Sequence, residues 1–166
     1  MTPSNAPLRE FLEIPYEQLE ELNLKSKSYQ EQWAPMEEVE AERRAYLEKE
    51  KGIKAVTVAF TDLEGRLHML DYDKKYLLHS DQLTFDGSSI RGFTKIAESD
   101  LRLGIDWRAF YWMPADVFGP GKVVVFGHVL DKDHRPYGAD FRGRLLAYTE
   151  KLRREQGIVA NVSAET

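Results

Sequence analysis

Residues 53–71 read IKAVTVAFTDLEGRLHMLD, and the fold follows from how this stretch is parsed. Val56, Val58 and Phe60 alternate with Ala55, Thr57 and Ala59, the two-residue period of a strand rich in β-branched residues. Asp62-Leu63-Glu64-Gly65 then forms a tight turn with glycine at its end. Arg66–Asp71 returns as a second strand, Leu67 and Met69 alternating against His68 and Leu70. The stretch is a β-hairpin.

Toward the C-terminus, Asp73 is placed to cap a short helix running through His79. Leu83–Gly92 has no period and reads as a shaped loop, one acid among glycines and serines. Leu101–Asp106, Ala109–Met113 and Lys122–Leu130 are three further strands; the last, with Val123, Val124, Val125 and Phe126 in succession, is expected at the centre of the sheet. Asp131–Asp140 is a turn-rich connection. Phe141–Gln156 is an amphipathic helix with Leu145, Leu146, Tyr148 and Leu152 expected on the core side. Its late basic residues and Gly157 give it a stop. Ile158–Ala164 is expected to begin another strand.

Toward the N-terminus, Met1–Pro7 offers little to bury. Pro15 suits a first helical position, and Leu19 and Leu22 follow at helical spacing. The polar stretch Asn23–Gln32 reads as a connection. Pro35 opens a second helix whose inner face is Met36, Val39, Arg43, Tyr46 and Leu47, with a stop near Gly52. The order is that of an α+β domain: a mixed, mostly antiparallel β-grasp-like sheet with crossing helices, preceded by an N-terminal helical extension. The expected division is an extension at 1–35 and a domain at 36–166.

Composition narrows the function classes. The 166 residues carry 23 Lys and Arg against 28 Asp and Glu, a net charge of −5. With no basic block, the chain is not built to hold nucleic acid through its phosphates. The absence of cysteine excludes disulfides, thiolate zinc sites and thiol nucleophiles. Met1–Asn23 contains several acids and no apolar core of a secretory signal. The longest apolar run, Val123–Leu130, is far below the roughly 20 residues of a membrane helix. The expectation is a cytoplasmic protein with neither nucleic-acid nor membrane partners. Charge is uneven: residues 1–50 hold 12 acids and 6 bases, which makes the first helices a candidate surface for a basic partner.

Among single residues, His68, His79, His128 and His134 lack metal-ligand spacing. Phe118-Gly119-Pro120-Gly121-Lys122 lacks the spacing of a phosphate loop and leads into a strand, so it reads as a turn. Trp107, Tyr111 and Trp112 read as a core cluster before a stacking platform. Asp86 is the candidate site. A carboxylate amid Gly87, Ser88 and Ser89 either holds a small cation by charge-assisted hydrogen bonds or closes a turn on its own backbone. The residues alone leave both readings open.

Around Asp86 the sequence resembles a known family. Phe85-Asp86-Gly87-Ser88-Ser89-Ile90, the pair Gly92-Phe93 and then Glu98-Ser99-Asp100 are similar to the N-terminal domain of glutamine synthetases. Val58–Gly65 looks like the family's first strand and turn. Pro136–Arg142 resembles its Asp-Pro-Arg stretch ahead of a long helix, with Phe141 in place of proline, and Gly157–Glu165 resembles the strand leading to its first metal-binding glutamates.

The resemblance implies a β-grasp-like domain whose loop crosses a subunit interface and completes the neighbouring active site of a homo-oligomeric ring. It implies that Asp86 helps bind ammonium and assists its deprotonation, that Ser89 supports the same site, and that Glu165 is the first carboxylate of a metal-binding pair. The parent is then an ATP-dependent ligase of glutamate with ammonia or another amine, requiring Mg²⁺ or Mn²⁺, hard cations that take oxygen ligands. No cofactor is expected for the 166 residues by themselves, and no activity, because most ligands for metal, ATP and glutamate belong to a C-terminal barrel. The alternative is a non-enzymatic homologue that regulates or joins a full-length ring. A third reading makes this an unrelated β-grasp protein.

Overall fold

The hairpin forms where the alternation places it. Ala55–Thr61 is strand β1, and Leu67–Asp73 is strand β2. These come from a computed structural model that describes residues 14–80, 82–91, 93, 100–119 and 121–160. Between the strands Asp62 organises the turn: its Oδ1 accepts from the backbone N–H of Glu64 and Arg66 at 2.8 and 2.9 Å, and Gly65 takes a φ of 78°. Val56 through Phe60 are all buried, so β1 is covered on both faces, as an inner strand must be.

Ten helices and strands are described. Helix α1 is Tyr16–Glu31 and α2 is Met36–Lys49. After the hairpin come α3 (Lys74–His79), β3 (Thr84–Asp86), β4 (Asp100–Trp112), the single turn α4 (Ala115–Phe118), β5 (Val123–Leu130) and α5 (Phe141–Gln156). The five strands make one mixed sheet in the order β2-β1-β5-β4-β3, with β5 in the middle as its run of valines predicts. β1 and β5 are parallel, Val58 opposite Val125; β3 and β4 are antiparallel, Phe85 opposite Leu101. The chain is α+β, with a β-grasp-like sheet and N-terminal helices.

Two compact units partition the chain. The first draws on Met1–Ala59, Met69–Leu83 and Ile105–Gly127. Its core contains Val39, Leu47, Ile53, Val56, Val58, Leu77, Phe110, Trp112 and Val125. Here α1 differs from expectation: Asn23–Gln32 is not a connection but the second half of one continuous helix. The polarity that suggested a loop belongs to tertiary contacts. Asn23 donates from Nδ2 to the Trp112 carbonyl at 2.8 Å and accepts from its N–H at 2.9 Å, as a neighbouring strand would. Gln30 donates to the Tyr111 hydroxyl at 2.7 Å. Lys25 and the Tyr29 hydroxyl both donate to the Glu42 carboxylate, at 2.9 and 2.6 Å.

Arg43 is the centre of this unit. It is 2% exposed, and its guanidinium carbon lies 4.9 Å from the Trp112 ring centre, 5.2 Å from Phe110 and 5.3 Å from Tyr29. Nη2 donates to the buried Ser26 hydroxyl at 2.9 Å. Burial lowers the Arg43 pKa, opposed by the adjacent Glu42 carboxylate. Nε has no hydrogen-bond partner, so the aromatic faces offset desolvation that donors alone do not. Arg44 stacks similarly over Trp107 at 5.1 Å, and Arg108 over Trp33 at 4.8 Å.

The second unit draws on Phe60–His68, Thr84–Gly104 and His128–Thr166. Asp140, 1% exposed, is its fastening. Its Oδ2 accepts from the N–H of Val129 at 2.8 Å and of Gly143 at 2.9 Å, capping α5 and holding it to the end of β5. A β-carbon at Gly143 would lie 2.7 Å from that oxygen, which explains a glycine in a first helical turn.

Three expectations are corrected here. The two strands expected at Leu101–Asp106 and Ala109–Met113 are one, β4, running unbroken from Asp100 to Trp112; between them Arg108 Nε lies 3.5 Å from Asp106 Oδ1. Thr84–Asp86 is a short strand and not loop, because its backbone finds β4. The face of α5 expected in the core is open: Leu145 is 59% and Tyr148 61% exposed, with Leu146 and Leu152 half-buried. Amphipathicity records an apolar face without saying what covers it. Beyond Gly157, which stops α5 at φ 67°, Ile158–Ala160 is exposed and irregular; the rest of the expected strand lies outside the described residues. No helix among the described residues is long and apolar enough to cross a membrane.

Arg43→Ala is expected to lower unfolding free energy by about 3 kcal/mol, since it removes cation–aromatic contacts and empties a buried space between three rings. Urea unfolding followed by tryptophan fluorescence measures it; a change within about 0.5 kcal/mol would show that the cage does not support the helices.

Candidate functional site

The sequence directs Asp86 to the end of a strand and the start of a turn. β3 pairs with β4 through Thr84–Arg102, Phe85–Leu101 and Asp86–Asp100. Phe85 faces inward, and Asp86 is left at the rim. Gly87–Ser89 then forms a single 3₁₀ turn with Asp86 as its N-cap.

The carboxylate is organised by its own loop. Oδ1 accepts from the Ser88 backbone N–H at 2.9 Å and from the Ser88 hydroxyl at 2.6 Å. Oδ2 accepts from the Ser89 hydroxyl at 2.6 Å. The Ser88 hydroxyl first and the Ser89 hydroxyl second hold the Asp86 pKa below the ordinary aspartate value. Asp86 and Ser89 are exposed, while Gly87 and Ile90 are buried and anchor the turn. The two readings left open by the sequence are therefore not exclusive: Asp86 closes a turn and still presents an ionised carboxylate to the outside. Oδ2, which accepts one of these bonds where Oδ1 accepts two, retains capacity for a further donor, so the group can take a small cation. Its low basicity suits holding a proton donor more than removing the proton.

Ser88 was not singled out in the sequence, yet it makes two of the three bonds to Asp86. The signal was present in part, since an aspartate that closes a turn accepts from the backbone N–H two residues on, which is that of Ser88. Farther along, Arg91 reaches the Glu64 carboxylate at 3.1 Å, an exposed pair of little energetic weight.

Glu165, Gly92 and Glu98-Ser99 lie outside the described residues. Among the described residues no group of three or more His, Cys, Asp or Glu could hold a metal ion, so they do not fit Mg²⁺ or Mn²⁺, and no chemical step is routed through one. The histidines are dispersed. His68 bonds Asp62 at 2.8 Å and stacks on Phe60, His79 meets the Lys75 carbonyl at 2.7 Å, and His134 sits in a turn at φ 59°. His128 packs so closely on Gly104 that a β-carbon there would lie 2.6 Å from its ring. Trp107 and Trp112 are core residues, 3% and 1% exposed. Lys122 is paired with Asp71 at 3.1 Å, and Gly119 and Gly121 take φ of 85° and 68°, so the cation of this stretch is engaged; Pro120 lies outside the described residues.

Comparison with known proteins bears on this loop. Residues 52–132 match the family described as glutamine synthetase, beta-Grasp domain. A glutamine synthetase of Thermotoga maritima is 35% identical over 105 residues, 62% of this chain and 24% of that protein. One of Pyrococcus abyssi is 36% identical over 114 residues, 68% of this chain and 25% of that one. Among solved structures, a Plasmodium falciparum glutamine synthetase superposes with a TM-score of 0.59 at 21% identity, covering 69% of this chain and 22% of its own; at that identity the likeness is one of fold. The chain spans about a quarter of the length of the curated relatives it matches.

Replacing both hydroxyls, Ser88→Ala with Ser89→Ala, is expected to move the Asp86 titration up toward the ordinary aspartate value. In the wild-type chain the depressed pKa contributes stability that is present above the ordinary value of 3.8 and lost as pH falls through the lower folded one. A carbon-detected NMR titration of the Asp86 carboxyl reads the difference; coincident curves would mean that the hydroxyls do not act on the carboxylate.

Proposed function

Starting from a chain whose residues 52–132 belong to the glutamine synthetase family as its β-grasp domain, we propose that it serves an ATP-dependent ligase joining glutamate to ammonia or another amine. The observation that carries this is Asp86, an exposed, ionised carboxylate on a loop already shaped by Ser88 and Ser89. In this reading the loop projects from one subunit into the active site of its neighbour in a homo-oligomeric ring. The described residues hold no site for metal, and the remaining parts of the active centre come from a catalytic barrel. Residues 1–35 are then an extension, and 36–166 the β-grasp-like domain leading toward that barrel, where Glu165 is a metal ligand.

The roles follow from charge and basicity. Asp86 takes an N–H of ammonium on an oxygen not saturated by the serines, and Ser89 keeps the carboxylate turned outward. A carboxylate with a lowered pKa holds the cation well and accepts its proton poorly. Its assistance to deprotonation requires burial, which raises carboxylate pKa values, and a neighbouring subunit closing over the exposed loop supplies that burial. The binding of ATP and glutamate lies outside the residues described.

Two outcomes test this. The purified 166-residue chain is expected to release no phosphate in the presence of ATP, glutamate, ammonium and Mg²⁺; measurable turnover would refute the division of the site. In a protein joining this domain to a catalytic barrel, Asp86→Asn is expected to lower kcat/KM for the amine by about 10²-fold or more and leave KM for ATP unchanged. Full activity of that variant would remove Asp86 from the reaction.

A further inference from the structure

The Asp86 loop is entered and left through aromatic rings. Phe85, immediately before Asp86, lies 4.9 Å from Phe60 between ring centres. Phe93, at the loop's exit and 5% exposed, lies 6.4 Å edge-on from Phe85 and 6.5 Å from Phe60. The fourth ring of the cluster is Tyr137, edge-on to Phe93 at 5.9 Å. Its hydroxyl donates to the Phe93 carbonyl oxygen. The ring would satisfy the cluster by itself; the hydroxyl adds a directional hold on the backbone where the loop rejoins the core.

Tyr137 is a firm post for such a hold. Its N–H donates to the Val129 carbonyl at 3.0 Å, and its carbonyl accepts from Asp140 N–H at 3.0 Å. Pro136 beside it bridges to Leu130. Asp140, buried, is in turn bonded to Val129 and Gly143. From the other side, a series of turn bonds leads back to the carboxylate: Phe93 N–H to the Ile90 carbonyl at 3.2 Å, Ile90 N–H to the Gly87 carbonyl at 3.2 Å, and Ser88 N–H to Asp86 Oδ1 at 2.9 Å. Ser88 and Ser89 lie within that series, so fixing Phe93 fixes the direction of the two hydroxyls that organise Asp86.

We propose that Tyr137 is a positioning residue for Asp86, holding the loop exit through the Phe93 carbonyl so that the Ser88 and Ser89 hydroxyls stay on the carboxylate. The functional consequence rests on Asp86 being the amine-binding carboxylate; the positioning does not. Tyr137 touches neither Asp86 nor any reacting group and acts through backbone geometry.

The test is an NMR titration of the Asp86 carboxyl in the full 166-residue chain, comparing wild type, Tyr137→Phe and Thr149→Val. Tyr137→Phe keeps the ring and removes one oxygen. Thr149→Val is the control: its hydroxyl bonds the Leu145 carbonyl at 2.9 Å inside α5, so it removes a comparable bond in the same unit without touching the loop. The expected result is an upward shift of the Asp86 titration in Tyr137→Phe and none in Thr149→Val. A wild-type curve for Tyr137→Phe overturns the proposal, and so does an equal shift in both variants, which would be general loosening. A second measurement repeats Tyr137→Phe in a background lacking both hydroxyls, Ser88→Ala with Ser89→Ala. A smaller shift than in the wild-type background supports action through the hydroxyls, and an equal one overturns it. The ligase assay of Asp86→Asn decides the amine-binding role separately, so either idea can fail without the other.

Discussion

The parallel pairing of β1 with β5 is the constraint on which the rest depends. Two antiparallel strands need only a tight turn, but two parallel strands need a long excursion that carries the chain back to its starting end. Here everything from the hairpin turn to Lys122 is that excursion. It contains β2, α3, β3, the Asp86 loop and β4, and its three strands all take places in the same sheet. The inner strands suit this arrangement because they are mostly apolar and covered: Val56 to Phe60 and Val123 to Val125 are all buried, with Thr57 donating its hydroxyl to Asp71. A strand with one polar face could not occupy that position.

Charge does unusual work on the helical side. α1 and α2 carry thin apolar stripes, and polar groups attach them to specific partners, in the sheet and on each other. Asn23 pairs with the Trp112 backbone, Ser26 with Arg43, and Gln30 with Tyr111. Three arginines lie over aromatic rings. A planar, weakly hydrated guanidinium suits such places better than an ammonium would.

The Asp86 loop combines an organised carboxylate with an exposed position. Its turn satisfies itself locally, through two serines, and its ends are held by rings from other parts of the second unit. Local satisfaction gives the charge a defined direction without burying it.

Much of this was legible in local patterns. The alternation of residues 55–60, the Asp62–Gly65 turn, the Asp73 cap, the central valines and the limits of α5 all depend on neighbours in sequence, and they form as read. The Asp86 turn was legible for the same reason. What the sequence could not decide were matters of pairing. It divided β4 in two, whereas the folded chain pairs Arg108 with Asp106 and runs one strand through them. It took half of α1 for a connection, because a buried polar contact and a solvated one have the same composition. It assigned the apolar side of α5 to the core, although a stripe does not specify what covers it. Tyr137 carries no signal of its own; only the folded chain brings its hydroxyl to the Phe93 carbonyl, 44 positions away. Periodicity and caps belong to the sequence because they act over a few residues, whereas partners distant along the chain are chosen by the tertiary structure alone.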